Sequence, residues 1–381
     1  MIYFDNSATT KPYREVVEKI ADISLNEFGN PSSLHSLGLR AEKLVDNARK
    51  TLANTLHAKP DEILFTSGGT EAINLALKGS ADALKRSGRH ILSSPTEHAA
   101  SLESIRHLES LGFVTEFLTV DAYGRVELED LKAKLRPDTI LVNIMMVNNE
   151  TGVIQPVKEA SHLIKSQSKA VLHVDAVQAY GKIPIDTRAL KADLISFSAH
   201  KIHGPKGVGM LYVRGGTRIN PILSGGGQER KLRSGTINVP GIAGFAEAAS
   251  LKHDRLAQDN AQIKRVRDAL VKALNERLNG QIRINSPEDG LPDILNISFL
   301  NVKSEIILHA LEIRDIYVSS GSACHSRSGA VSHVLQAMKL PRQWVDGAIR
   351  FSFCGDNTVD EAISCADALA DIVVPLSGLK K

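Results

Sequence analysis

The sequence predicts an α/β protein: a largely parallel sheet covered by helices, with a second, smaller domain after it. From about residue 60 to 250, short apolar runs rich in β-branched residues alternate with helix-length amphipathic segments, the pattern of parallel strands joined by crossover helices. Beyond about residue 257 the pattern turns to a charged helix and shorter strands. A length of 381 residues also exceeds the roughly 250–300 residues at which a single core stops growing.

The expected strands, in order, are Ile63–Thr66, His90–Ser93, Thr139–Ile144, Val171–Val174 and Leu194–Ser198. Each is short and apolar and ends in polar residues, as strands buried on both faces do. A charged amphipathic helix is expected from about Ala257 to Leu278, a strand over Ile294–Phe299, and a last helix from about Val359 to Ile372. No internal repeat or low-complexity linker interrupts the chain, and Gly225-Gly226-Gly227 reads as a loop near a site.

Net charge is +3, with acidic and basic residues interspersed, so no stretch forms the electrostatic footprint of a direct nucleic-acid binder. No run approaches the roughly 18 apolar residues of a membrane span, and the N-terminus lacks a signal pattern, so a soluble cytoplasmic protein is expected. The three cysteines, Cys324, Cys354 and Cys365, are odd in number and not closely paired, which argues against disulfides and against a metal site. Cys365, in a helical pattern, reads as a small buried apolar residue.

In open α/β sheets, ligands sit beyond the carboxyl ends of the strands. Three such ends carry chemistry here. Thr66-Ser67-Gly68-Gly69-Thr70-Glu71 leaves a strand and opens a helix, so its free N–H groups form a phosphate cup, or else a plain tight turn with a threonine cap. It is neither a Walker loop nor GxGxxG, which argues against nucleotides. Asp175, in Val174-Asp175-Ala176-Val177-Gln178, is a carboxylate at a buried strand end, either a helix cap or the partner of a protonated pyridine nitrogen, with Gln178 in reach of a ring hydroxyl. In Ser198-Ala199-His200-Lys201, a lysine at a buried strand end is a candidate for Schiff-base chemistry, its pKa lowered by burial. Lys206, among glycines in the following loop, is the rival and reads as a solvated charge.

Ser198-Ala199-His200-Lys201 followed by Gly204-Pro205-Lys206-Gly207 resembles the cofactor-lysine segment of the class V aminotransferases, specifically the cysteine desulfurases. Asp5–Thr10, Gly29–His35, Thr96-Glu97-His98, Asn148–Gly152, Arg233–Thr236 and Ser319–Cys324 resemble that family in the same order, over nearly the whole chain. The resemblance implies a PLP-transferase type I fold: a large domain with a mainly parallel seven-stranded sheet between helices over residues 15–256, and a smaller α+β domain from residues 1–14 and 257–381 carrying the cysteine loop.

It further implies pyridoxal 5'-phosphate held covalently by Lys201, its phosphate gripped by Gly69, Thr70, Ser198 and His200. His98 would stack on the ring and take part in catalysis, Asp175 would pair with the ring nitrogen and Gln178 with the ring oxygen. Thr236 would reach the phosphate of a neighbouring subunit's cofactor, which implies a homodimer. Asn149 and Arg350 would bind the substrate carboxylate, for which an arginine fork is physically suited. Cys324, in a glycine- and serine-rich stretch with His325 and Arg327 to favour the thiolate, would take sulfur from L-cysteine as a persulfide, leaving L-alanine. The sulfur would pass to an acceptor protein, an iron–sulfur scaffold or a tRNA-thiolating enzyme. The longer C-terminal tail by which some relatives hold a cluster scaffold is not matched, and Phe353-Cys354-Gly355 stands where relatives commonly have glycine followed by a basic residue; both keep a dedicated acceptor open. Cys354 reads as an inert core residue rather than a second sulfur relay. The alternatives are a selenocysteine lyase or aminotransferase on the same scaffold, or a sulfur-delivery scaffold without independent turnover.

Overall fold

The computed structural model describes residues 1–321 and 332–377. Its strands are β1 (Ile2–Tyr3), β2 (Ile63–Thr66), β3 (His90–Ser93), β4 (Val114–Phe117), β5 (Thr139–Met145), β6 (Val171–Asp175), β7 (Leu194–Ser198), β8 (Gly209–Val213), β9 (Ile282–Ile284), β10 (Ile294–Phe299), β11 (Ile316–Tyr317) and β12 (Ala348–Ser352). Seven of them form one sheet in the order β2-β8-β7-β6-β5-β3-β4. Every residue of β2, β3, β5, β6, β7 and β8 is buried, which is why these strands read as continuous apolar runs.

The five expected strands of this sheet are present. Two others, β4 and β8, had no expectation. β4 is a half-exposed edge with the polar sequence Val114-Thr115-Glu116-Phe117, and β8 follows a glycine-rich loop. The sheet is also mixed: β3 to β7 pair in parallel, whereas β8 runs antiparallel to both β7 and β2. Only residues 199–208 separate β7 from β8, too short for the crossover a parallel return requires.

The expected charged helix is the second half of a longer one, Val239–Arg277, opened by Asn238, whose side chain accepts from the Gly241 N–H at 3.1 Å. Its first turns escape periodicity analysis because Val239, Gly241, Ile242, Ala243, Gly244, Phe245 and Ala246 are all buried; a helix covered on every side has no polar stripe. Phe245 and Ala249 join the core beside the large sheet, whereas Ile263, Val266, Leu270 and Leu274 join a second core. That second core lies under the antiparallel sheet β12-β10-β9 and includes Phe4, edge-on to Phe353 with centroids 5.0 Å apart. The chain's first residues are fixed there: β1 pairs with β11, and Ser352 N–H donates to the Phe4 carbonyl at 2.7 Å. The last helix, Val359–Ser377, runs further than the expectation. Among the described residues, no helix is long and apolar enough to cross a membrane.

Candidate active site

The parallel strands β5, β6 and β7 end side by side, in the register Met145–Asp175 and Asp175–Ser196. Beyond those ends lies a cavity of about 250 Å³, lined by Met145, Asp175 and Ser198 from the strand ends and also by Ser7, Asn149 and Arg350. The helix Gly69–Leu84 starts at its rim. Gly69 is needed for that approach, because a Cβ there would lie 2.8 Å from Val177 Cγ2. The glycine therefore brings the free N–H groups of a helix N-terminus against the turn that carries Asp175 and Gln178.

Lys201 sits in a short 3₁₀ turn, Ala199–Lys201, directly after β7. Its Nζ donates to the carbonyls of Ser7 and, at 2.8 Å, Ala8. Those carbonyls are brought in by the N-terminal segment, which is clamped at both ends. Ser7 N–H donates to Ser352 Oγ at 2.8 Å, and Thr10 N–H donates to the His200 carbonyl at 3.0 Å. Burial, then Arg350 and Lys182, push the Lys201 ammonium down to about 7, which makes a neutral amine accessible near neutral pH. The rival Lys206 is exposed and does not line the cavity.

Asp175 Oδ1 accepts from Val177 N–H at 2.9 Å, and burial raises the carboxyl to about 6. A carboxylate so placed stays ionised most readily beside a cation. Next to it Glu97 is fully buried and raised to about 8, by burial first and by Asp175 second, while its Oε1 accepts from Met145 N–H at 2.6 Å. His98 caps the helix Ala99–Ser110, its Nδ1 accepting from Ala100 N–H at 3.1 Å; a neutral ring thus carries its proton on Nε2. His200 Nδ1 lies 3.2 Å from Thr9 Oγ1, and burial, then Lys201 and Lys206, push this imidazole down to about 4, so it is neutral.

Gln178 Nε2 donates to the Ser7 carbonyl at 3.0 Å, and its Oε1 accepts from Lys182 Nζ at 3.1 Å. Arg350, on β12 and almost wholly buried, donates from Nη2 to Asp5 Oδ1 at 2.8 Å and from Nη1 to the Asn149 carbonyl at 3.0 Å. Its Nε and the Ser7 hydroxyl are buried without a protein partner.

The cavity thus gathers Gly69, Thr70, His98, Asn149, Asp175, Gln178, Ser198, His200, Lys201 and Arg350, all singled out in the sequence. Thr236 is exposed and does not line it, and Cys324 lies outside the described residues. Sequence reasoning missed Asp5, the Ser7 and Ala8 carbonyls, Glu97 and Lys182 as participants. The first three lie in a segment noticed only for its resemblance, and nothing in the pattern around Lys182 sets it apart.

These residues fit pyridoxal 5'-phosphate. The helix N-terminus with Ser198 and His200 offers donors for a phosphate, Asp175 a carboxylate for a ring cation, and Lys201 an amine for a carbonyl, while the orphaned Ser7 hydroxyl and Arg350 Nε still lack polar partners.

The family described as Aminotransferase class-V matches residues 2–363. "Cysteine desulfurase IscS" of Methanosarcina thermophila is 41% identical over 382 residues, 99% of this chain and 93% of that protein. A solved "NIFS-LIKE PROTEIN" superposes with a TM-score of 0.93 at 40% identity, covering 98% of this chain and 100% of that one. A structure described as "SspA in complex with cysteine" gives a TM-score of 0.81 at 32% identity, covering 93% and 99%.

Proposed function

The chain belongs to the cysteine desulfurases of the class V aminotransferase family, and on that premise we propose that it takes sulfur from L-cysteine at the cavity around Lys201, with Cys324 as the accepting thiol. The observation that carries this reading is the convergence of Lys201, Asp175, His98 and the helix N-terminus on one cavity that also contains the Arg350 fork.

Pyridoxal 5'-phosphate, when bound, supplies an electron sink for the amino acid's α-carbon. The chain's own residues do the rest. Gly69, Thr70, Ser198 and His200 would hold the phosphate, Asp175 would keep the ring nitrogen protonated, and His98 and Gln178 would hold the ring and its oxygen. Arg350 and Asn149 orient the substrate carboxylate, which fixes the α-carbon within reach of Lys201. Lys201 Nζ, already depressed to about 7, takes the α-proton as a neutral amine. The Cys324 thiolate attacks the substrate sulfur, so an S–S bond forms as the C–S bond breaks. The carbon keeps that bond's electron pair and gains a proton, giving alanine and a persulfide.

The same reading includes a homodimer and a protein acceptor for the sulfur. Support for the dimer comes from Thr236, which is exposed on a loop pinned to the cup by the ion pair of Arg233 with Glu71 at 2.7 Å; from there it is free to complete a second subunit's site. The test is an assay with L-cysteine and a reducing thiol, following alanine and sulfide together. Equal amounts of both, abolished in Lys201→Ala and in Cys324→Ala, support the reading. Alanine formation undiminished in Cys324→Ala would refute the role of that thiol.

A further inference from the structure

Gln178 stands between two groups that leave its amide a single orientation. Lys182 Nζ is donor-only and faces Oε1 at 3.1 Å; the Ser7 carbonyl is acceptor-only and receives Nε2–H at 3.0 Å. Turning the amide over would set two oxygens together on one side and two nitrogen donors on the other. Without Lys182, the Ser7 carbonyl alone selects that orientation and Oε1 is left without its donor, so the amide is held at one end only.

Lys182 is itself buried and held from behind by Asp293, whose Oδ1 lies 4.0 Å from Nζ. Neither residue lines the cavity. Lys182 belongs to the turn after β6, and Asp293 immediately precedes β10, so the group behind Gln178 is built from segments packed together from two sheets. Lys252 and Asp259, paired on the long helix, together with Arg350, the Cys354 thiol and Lys201, are the other titratable or charged groups coupled to this lysine or to Asp293.

We propose that Lys182 is a positioning residue of the active site: by donating to Gln178 Oε1 it locks the amide so that Nε2–H faces the ring oxygen of the bound cofactor. The inference rests on reading the cavity as the pyridoxal phosphate site. Nε2 has two hydrogens; Ser7 takes one and the second is left for the ring. A donor in that place favours the ionised ring oxygen. The Ser7 carbonyl accepts from Lys201 Nζ as well, so the lock also steadies the acceptor on which the reactive lysine rests.

The experiment titrates pyridoxal 5'-phosphate into the wild-type protein, Lys182→Met, Gln178→Ala and the double variant, reading the dissociation constant and the pH midpoint of the visible absorption band. Lys182→Met is expected to weaken binding about tenfold, the loss of one charge-assisted hydrogen bond, and to move the midpoint upward. In the Gln178→Ala background the same substitution is expected to shift the midpoint clearly less, because its route through the amide is gone and only the charge of Lys182 acting on Lys201 through space remains. Lys182→Met also leaves Asp293 buried without a cation, so Lys182→Met combined with Asp293→Asn removes both charges. That variant is expected to melt near the wild type and keep the shifted midpoint. An unshifted midpoint in both Lys182 variants would overturn the inference, as would an equal shift with Gln178 absent, which would mark a through-space charge effect. A wild-type protein that takes up no cofactor would overturn the reading of the cavity and the inference together.

Discussion

Arg350, in the cavity wall, and Asp5, 345 positions away in the chain, meet with Nη2 and Oδ1 at 2.8 Å. The arginine expected to receive the substrate carboxylate is therefore already paired with a carboxylate of its own chain. Asp5 compensates a buried guanidinium before substrate arrives, and it competes with the substrate once it does. Asp5→Asn keeps the shape and a hydrogen-bonding oxygen but removes the competing charge. It is expected to lower KM for L-cysteine several-fold and to tighten alanine binding. Arg350→Ala should raise KM by about tenfold or more, the loss of a hydrogen-bonded charge pair. Steady-state kinetics with alanine as a product inhibitor checks both directions.

Lys201 is a source of instability until its charge is relieved. Its folded pKa of about 7 lies below the ordinary 10.5, so between those values the unfolded chain binds more protons than the folded one. Stability from this group consequently rises with pH from about 7 to 10.5 and is lowest below 7. Cofactor-free Lys201→Met should be more stable than the cofactor-free wild type at pH 6, by on the order of 1–3 kcal/mol, and should lack that rise. Urea titrations of both proteins across this range measure it.

Glu97 has the opposite sign. Its folded pKa of about 8 stands above the ordinary 4.5 because burial, and then Asp175, disfavour its charge. The stability it contributes is full below pH 4.5 and is lost as pH rises through 8. Glu97→Gln, which resembles the protonated acid, should flatten that part of the cofactor-free stability profile and become the more stable form above pH 8. Denaturation midpoints at pH 5, 7 and 9 decide the matter.

Glu229 pins the surface loop bearing Thr236. Its carboxylate takes Arg49 Nη2 at 2.6 Å and Phe65 N–H at 2.8 Å, and Glu229, Arg230 and Lys231 follow one another in the left-handed region with φ of 44°, 57° and 64°. Three such non-glycine residues in succession persist only where the surroundings hold them. Glu229→Ala strands Arg49 and a strand N–H, and is expected to destabilise the protein by about 3 kcal/mol and to expose the loop to proteolysis. Limited proteolysis beside a thermal melt tests the two effects together.

The strands of the central sheet and the polar residues at their ends were legible because both signals are local. Ile63–Thr66 and Leu194–Ser198 are short apolar runs, and Gly69, Asp175 and Lys201 each follow such a run within a few residues. The antiparallel β8 and the first turns of Val239–Arg277 were not legible, since strand direction depends on how far the intervening loop can reach and a helix buried all round shows no period.

By itself the sequence determined which residues could do chemistry: an amine, a carboxylate and a glycine-opened helix, each at the end of a buried strand. Only the tertiary structure decided what those groups do. It set Asp5 against Arg350, turned the Gln178 amide between Lys182 and Ser7, and placed Lys201 on two N-terminal carbonyls. The reason is physical: a side chain's type is a local property, whereas its charge and orientation depend on desolvation and on partners supplied by distant segments.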